Sequence, residues 1–123
     1  MSMTVQIAMK GITDLEILLT ALREMGIKTI RMDVGPQKTA SNVLAYADIH
    51  AQRVKFVRHK NGEIDMVGDS DWRVMKDNRF KQRLRQQYSL EAVKKKVIEL
   101  NYSLASIERL EDGAIKLVAR AWR

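Results

Sequence analysis

The side chains best placed to do chemistry in this sequence are cationic. The stretch WRVMKDNRFKQRLRQQYSLEAVKKK begins at Trp72. Between Arg73 and Lys96 it holds nine basic residues and two acids, Asp77 and Glu91, a surplus of seven. The whole chain carries +7 from 22 basic and 15 acidic residues, so everything outside the stretch balances at 13 of each. Arg79 and Arg83 stand four apart and share one helix face, with Lys76 close to it. Lys81 and Arg85 flank the apolar Phe80/Leu84 stripe on its other side, and Lys94, Lys95 and Lys96 follow. Phosphate backbones favour such clusters, because each contact releases condensed counterions. Trp72 or Tyr88 would then be the aromatic that stacks on a base. The plainer reading is a solvated or partner-facing helix surface. Long basic side chains cover apolar stripes with their stems, and Glu91 to Lys95 is an ordinary favourable pair four residues apart. The sequence favours this second reading.

Other chemistries find less support. Asp65, Asp69 and Asp71, with Asp48 on another strand, are a carboxylate set that a hard cation would suit, but their spacing lacks the calcium-loop pattern. His50 and His59 have no partner at metal-ligand spacing and read as surface or half-buried imidazoles. Ser70, Ser89, Ser103 and Ser106 sit in no nucleophile elbow and no Ser-x-x-Lys motif. The six glycines form no phosphate loop, and the absence of cysteine removes thiolate catalysis and thiolate metal sites. The expectation is a non-enzyme with no catalytic residue, no cofactor and no metal.

The elements that must position the basic stretch follow from periodicity. Met3, Val5, Ile7 and Met9 alternate with polar or small residues, which predicts a half-buried strand. A helix follows. Thr13 is the expected N-cap with Glu16 completing a capping box, and Ile12 and Ile17 are placed as a hydrophobic staple. Leu15, Leu18, Leu19, Leu22 and Met25 make its apolar stripe, and Gly26 closes it with Ile27 folding back. Residues 27–32 and 43–49 read as strands, separated by a polar loop around Gly35-Pro36. Asn61-Gly62 predicts a two-residue hairpin turn that sets Lys60 opposite Glu63 and Arg58 opposite Asp65. An Asp or Ser at 69–71 is expected to cap the basic helix.

Within that helix two apolar sets appear: Phe80, Leu84 and Tyr88, then Leu90, Val93, Val97 and Leu100. They lie roughly opposite one another at about 100° per residue. The reading is therefore two segments bent near Tyr88-Ser89, with Ser89 capping the second; the alternative is one straight helix buried on two sides. A closing hairpin around Asp112-Gly113 sets Leu110 opposite Ile115 and ends at Trp122. Trp72 and Trp122 are candidate interface anchors or, on the reading preferred here, core residues closing the fold.

The order of elements predicts one α+β domain spanning 1–123: an antiparallel sheet of about five to seven strands, with an N-terminal helix and a longer, bent later helix on one face. Apolar content of 46% with 30% charged is that of a soluble globular protein. The start MSMTVQIAMKG does not read as a signal peptide, and no apolar run approaches the roughly 18 residues of a membrane span, so neither a leader nor a span is expected. The cytoplasm is the expected compartment.

The opening strand with TDLEILLTALREMGI, the VKFVRHKNGEIDMVGD hairpin with a Trp shortly after, FKQRLRQQY and EDGAIKLVARAW carry a resemblance along the whole chain. Gln86-Gln87-Tyr88 and the Asp112-Gly113 hairpin ending in Trp122 are its most specific parts. The chain resembles an uncharacterised family of about this length, a conserved reading frame of algal plastid genomes found also in cyanobacteria and other bacteria. The resemblance implies a fold and no mechanism. It also implies an accessory role beside an AAA-type ATPase. Two departures stand out: the loop at 35–42 lacks the Arg-Gly-Tyr-type segment of plastid members, and this chain is more basic than they are. The functional expectation is a small accessory or protein-interaction domain. Its partner would be a protein, such as that ATPase or a second copy of the chain. Nucleic-acid binding through 73–96 is the alternative, and no membrane role is expected.

Overall fold

The computed structural model describes residues 3–33, 42–100, 102–109 and 115–121. Strands β1 (Thr4–Ala8), β2 (Lys28–Arg31), β3 (Val43–Ile49), β4 (Gln52–Arg58) and β5 (Ile64–Asp69) form one sheet in the order β1-β5-β4-β3-β2. Every neighbouring pair is antiparallel. Helix α1 (Leu15–Glu24) links the two edge strands. A short α2 (Arg73–Lys76) leads into α3 (Asn78–Glu99), and β6 (Tyr102–Arg109) with β7 (Ile115–Ala121) forms a separate two-stranded hairpin whose backbone runs beside α3. The class is α+β, as the order of elements predicts. The five-stranded end of the expected range applies, because the closing hairpin does not join the sheet.

One face of the sheet is the core. Ala45, Ala47, Ile49, Val54, Phe56, Ile64 and Met66 project from it into one cluster with Leu15, Leu18, Leu19 and Leu22 of α1 and Phe80, Leu84 and Tyr88 of α3. Full burial of each large apolar side chain contributes roughly 1.5–3 kcal/mol, so these two stripes fix both helices to the sheet. On the other face a small cluster of Val43, Val57 and Val67 gathers; an irregularity between Val43 and Ala45 turns Val43 to that side.

Helix α1 ends as its sequence directs. The Ile27 amide donates to the Leu22 carbonyl and the Gly26 amide to that of Arg23, with Gly26 at φ +77°. Its start differs by one residue. Asp14, not Thr13, is the N-cap, accepting from the Ile17 amide at 3.3 Å. The cause is tertiary: the Thr13 amide and carbonyl are both taken by distant side chains, Tyr88 and Arg58. Glu16, displaced from the capping-box position, pairs with Arg31 instead.

The Asn-Gly hairpin is also one residue off. Arg58 pairs with Ile64 and Val57 with Asp65, so Arg58 does not face Asp65, nor Lys60 Glu63. The Gly62 amide donates to the His59 carbonyl, Gly62 sits at φ +89°, and the His59 amide donates to the Glu63 carbonyl. This is a three-residue loop with a left-handed glycine, held by the Asn61 carboxamide accepting from the Glu63 amide at 2.9 Å. The two-residue turn occurs where no glycine marks it. Ile49 pairs with Gln52, and His50 and Ala51 between them take φ of 52° and 62°. In the closing hairpin Ile115 pairs with Arg109 rather than Leu110; the Asp112-Gly113 turn, Leu110 and Trp122 lie outside the described residues, as does the loop at 35–41.

Helix α3 runs unbroken through Ser89, which is an exposed mid-helix residue and not a cap. Its own N-cap is Asp77, accepting from the Phe80 amide at 3.1 Å, while Asp69 accepts from the Asp71 amide within its own turn. The bend is not needed because most of the second apolar set is left unburied: Val93 and Leu100 are exposed and Val97 is half-buried. Leu90 is buried yet belongs to neither core cluster, and the hairpin backbone lies alongside the helix. Gln87 donates to Glu91 at 3.0 Å, bridging the turn where the bend was expected.

Two stability outcomes follow. Ala51→Gly relieves a left-handed L-residue, so it should raise stability by about 1 kcal/mol, read from chemical denaturation. Gly68→Ala should lower it by roughly 1–3 kcal/mol, since an added Cβ would meet Trp72 Cε3 and Met75 Sδ at 2.9 Å.

Candidate functional site: the outer flanks of the long helix

Since α3 buries Phe80, Leu84 and Tyr88, its basic side chains, like Lys76 of α2, lie off the core-facing stripe. Lys76, Arg79, Arg83, Arg85, Lys95 and Lys96 are exposed, and Lys81 and Lys94 half-buried. Lys94 reaches Glu91 at 3.4 Å and Lys95 reaches Asp14 at 3.6 Å. Of the nine cations in 73–96, the other seven (Arg73, Lys76, Arg79, Lys81, Arg83, Arg85 and Lys96) form no ion pair among the described residues. They do not make one face. Arg83 and Arg85 are separated by about 200° around the axis, so Arg79 and Arg83 occupy one flank and Lys81, Arg85 and Lys96 the other.

The aromatic candidates are placed differently from a base-stacking platform. Trp72 is half-buried, packing on the core cluster and over Gly68. Tyr88 is 8% exposed, and its hydroxyl accepts from the amides of Thr13 at 3.2 Å and Asp14 at 3.0 Å. Burial and two hydrogen bonds commit the Tyr88 ring to the fold, while Trp72 packs one part of its ring on the core and keeps the rest accessible.

That tyrosine contact joins α3 to the connection between β1 and α1, which the β4–β5 hairpin grips from the other side. The Ile64 amide donates to the Ile12 carbonyl at 2.8 Å. Arg58 Nη1 donates to the carbonyls of Thr13 and Gly62 at 2.9 and 2.8 Å. Glu63 Oε2 accepts from the Gly11 amide at 2.6 Å, and its other oxygen accepts from Asn61 at 2.8 Å. The Gly11 amide, ahead of Asn61 and the nearby charge of Lys10, holds the Glu63 carboxyl below the ordinary range. Similarly the Phe80 amide, ahead of the Arg79 amide and the neighbouring His50, lowers Asp77.

Between this connection and α3 lies a groove of about 360 Å³. Lys10, Gly11 and Ile12 form one wall; Arg85, Ser89, Ala92 and Val93 form the other, with Tyr88 between. Sequence reasoning did not find it, because Lys10 and Arg85 are brought together only by tertiary contacts.

The other sequence candidates do not converge. Asp48 pairs with Arg53 at 3.0 Å. Asp65 is buried on the sheet face away from the helices, accepting from Gln6 at 2.6 Å. His50 lies 3.6 Å from Asp77 and edge-on to Phe80, and His59 is exposed at its turn. Among the described residues no group of three or more His, Asp or Glu side chains could hold a metal ion, and no helix is long and apolar enough to cross a membrane.

Comparison with known proteins places the chain beside a sequence family. The sequence model of a family described as protein of unknown function, DUF1257, matches residues 14–118. No curated protein and no solved structure matches the chain.

The Tyr88 hydroxyl generates a test. Tyr88→Phe removes the acceptor of two backbone amides, so it should cost about 1–3 kcal/mol of stability with the helical circular-dichroism signal retained.

Proposed function

The chain belongs to this family of unknown function, DUF1257, and from that premise we propose that it is a small non-catalytic interaction domain that docks a protein partner on the exposed surface of α3. The observation that carries the reading is that α3 displays apolar and unpaired basic side chains together. Val93, Ile98 and Leu100 are 40%, 71% and 54% exposed, and they follow or flank the cations that have no carboxylate. Exposed apolar side chains in a charged rim are the composition of a docking surface. A polyanion alone would use the charges and leave the apolar groups in water.

A non-catalytic role is supported by what the polar groups already do. Asp77 and Asp14 cap helices, Glu63 pins the hairpin to the β1–α1 connection, and Tyr88 receives two amides. Each is committed to structure. The partner is a protein of the same compartment, for which the cysteine-free sequence fits the cytoplasm.

Affinity purification from the native cell, with and without nuclease, tests the reading. The expected result is a stoichiometric protein partner that survives nuclease and is lost from a variant carrying Arg79→Glu, Arg83→Glu, Lys96→Glu and Val93→Asp. Recovery of nucleic acid alone, lost on nuclease treatment, would replace it with the nucleic-acid reading.

A further inference from the structure

The groove beside α3 has a composition more specific than the helix surface as a whole. Resting on the docking role above, we propose that it binds an extended acidic peptide segment of the partner, with one apolar side chain seated between flanking carboxylates.

Charge is the first argument. Lys10 stands on one wall and Arg85 on the other. Lys81 lies one turn before Arg85 and Lys96 one turn after Ala92, on the same flank of the helix. None of these four cations has an ion-pair partner among the described residues. The carboxylates nearby are already engaged: Glu63 by Gly11 and Asn61, with Lys10 close enough to act on it through charge but not in a direct pair, and Asp14 by the Ile17 amide and Lys95.

Hydrogen bonding is the second. The Tyr88 oxygen accepts two backbone N–H bonds, which uses its acceptor capacity. Its remaining capacity is to donate its proton, and no described residue takes it. Tyr88 lines the groove, and beside it the exposed Ser89 supplies a hydroxyl donor suited to a carboxylate oxygen.

Length and polarity choose the occupant. From Lys81 to Lys96 the flank extends about 22 Å, beyond the reach of one small anion and equal to roughly six or seven residues of extended chain. Ala92 and Val93 give the wall an apolar section between the cations. A single-stranded nucleic acid would need an aromatic to stack on, and the ring lining this groove is the buried Tyr88. An acidic peptide uses both the charges and the apolar section.

The test is fluorescence anisotropy with four labelled probes: Glu-Glu-Glu-Leu-Glu-Glu-Glu, its all-Gln analogue, its Gly-centred analogue and a short oligouridylate. The Leu-centred acidic peptide is expected to bind. Its affinity should fall about tenfold or more, some 1.4 kcal/mol, with either analogue, with Lys10→Glu/Arg85→Glu, and with the groove-filling Ala92→Trp. Arg79→Glu/Arg83→Glu on the opposite flank should change it by less than about twofold, since long-range charge effects are screened by salt. Circular dichroism checks that each variant is folded. The proposal is overturned if the acidic peptide fails to bind, if the Gln analogue binds equally, if Lys10→Glu/Arg85→Glu has no effect, or if oligouridylate binds more tightly at this groove. Native-partner capture separates the two levels. A partner retained by Lys10→Glu/Arg85→Glu but lost with Arg79→Glu/Arg83→Glu sinks the groove and leaves the docking role. Absence of any protein partner sinks the docking role itself.

Discussion

The connection from Lys10 to Asp14 is the constraint on which the rest of the molecule depends. It is not itself a helix or strand, yet its backbone lies between three elements, and its polar groups must be paired somewhere. The hairpin supplies Glu63 for the Gly11 amide, the Ile64 amide for the Ile12 carbonyl and Arg58 for the Thr13 carbonyl. Helix α3 supplies one tyrosine oxygen for the amides of Thr13 and Asp14. These contacts decide where α1 begins, close the hairpin turn against the helix layer, and set the position of α3 along its axis. The apolar stripes say that two helices cover the sheet; this connection says how they are registered on it.

The surface follows from that placement. With Phe80, Leu84 and Tyr88 turned inward, the interleaved arginines and lysines must divide between the two sides of the helix. One side carries Arg79 and Arg83, and the other faces the same connection that Tyr88 anchors. The groove is thus a by-product of how the helix is docked, and both of its walls are held by hydrogen bonds that do not involve its charged side chains.

What the sequence makes legible here is local. The end of α1 was readable because Gly26 and Ile27 act on carbonyls one turn away. The strands and the existence of the long helix were readable from periodicity. The start of α1 was not, because Tyr88 lies 74 residues from Asp14 and leaves no mark near it. Asn61-Gly62 signalled a turn correctly but not its length, which depends on the side-chain bonds between Asn61 and Glu63 and on strand register. The continuous α3 was misread for a related reason. Two opposed apolar stripes on one helix imply a bend only if both must be buried, and of the second stripe only Leu90 is, with Val93 and Leu100 left exposed. The basic residues were found as a charge surplus, but Lys10 was missed because only the tertiary structure sets it across from Arg85.

Native-state hydrogen exchange at the amides of Thr13 and Asp14 reads the docking of α3 on this connection. Outside regular structure, they should exchange fast unless the Tyr88 oxygen holds them. Protection comparable with the middle of α3 is expected, because opening them requires undocking that helix. Exchange at the rate of an exposed loop would contradict this docking and release the connection, the helix register and the groove together.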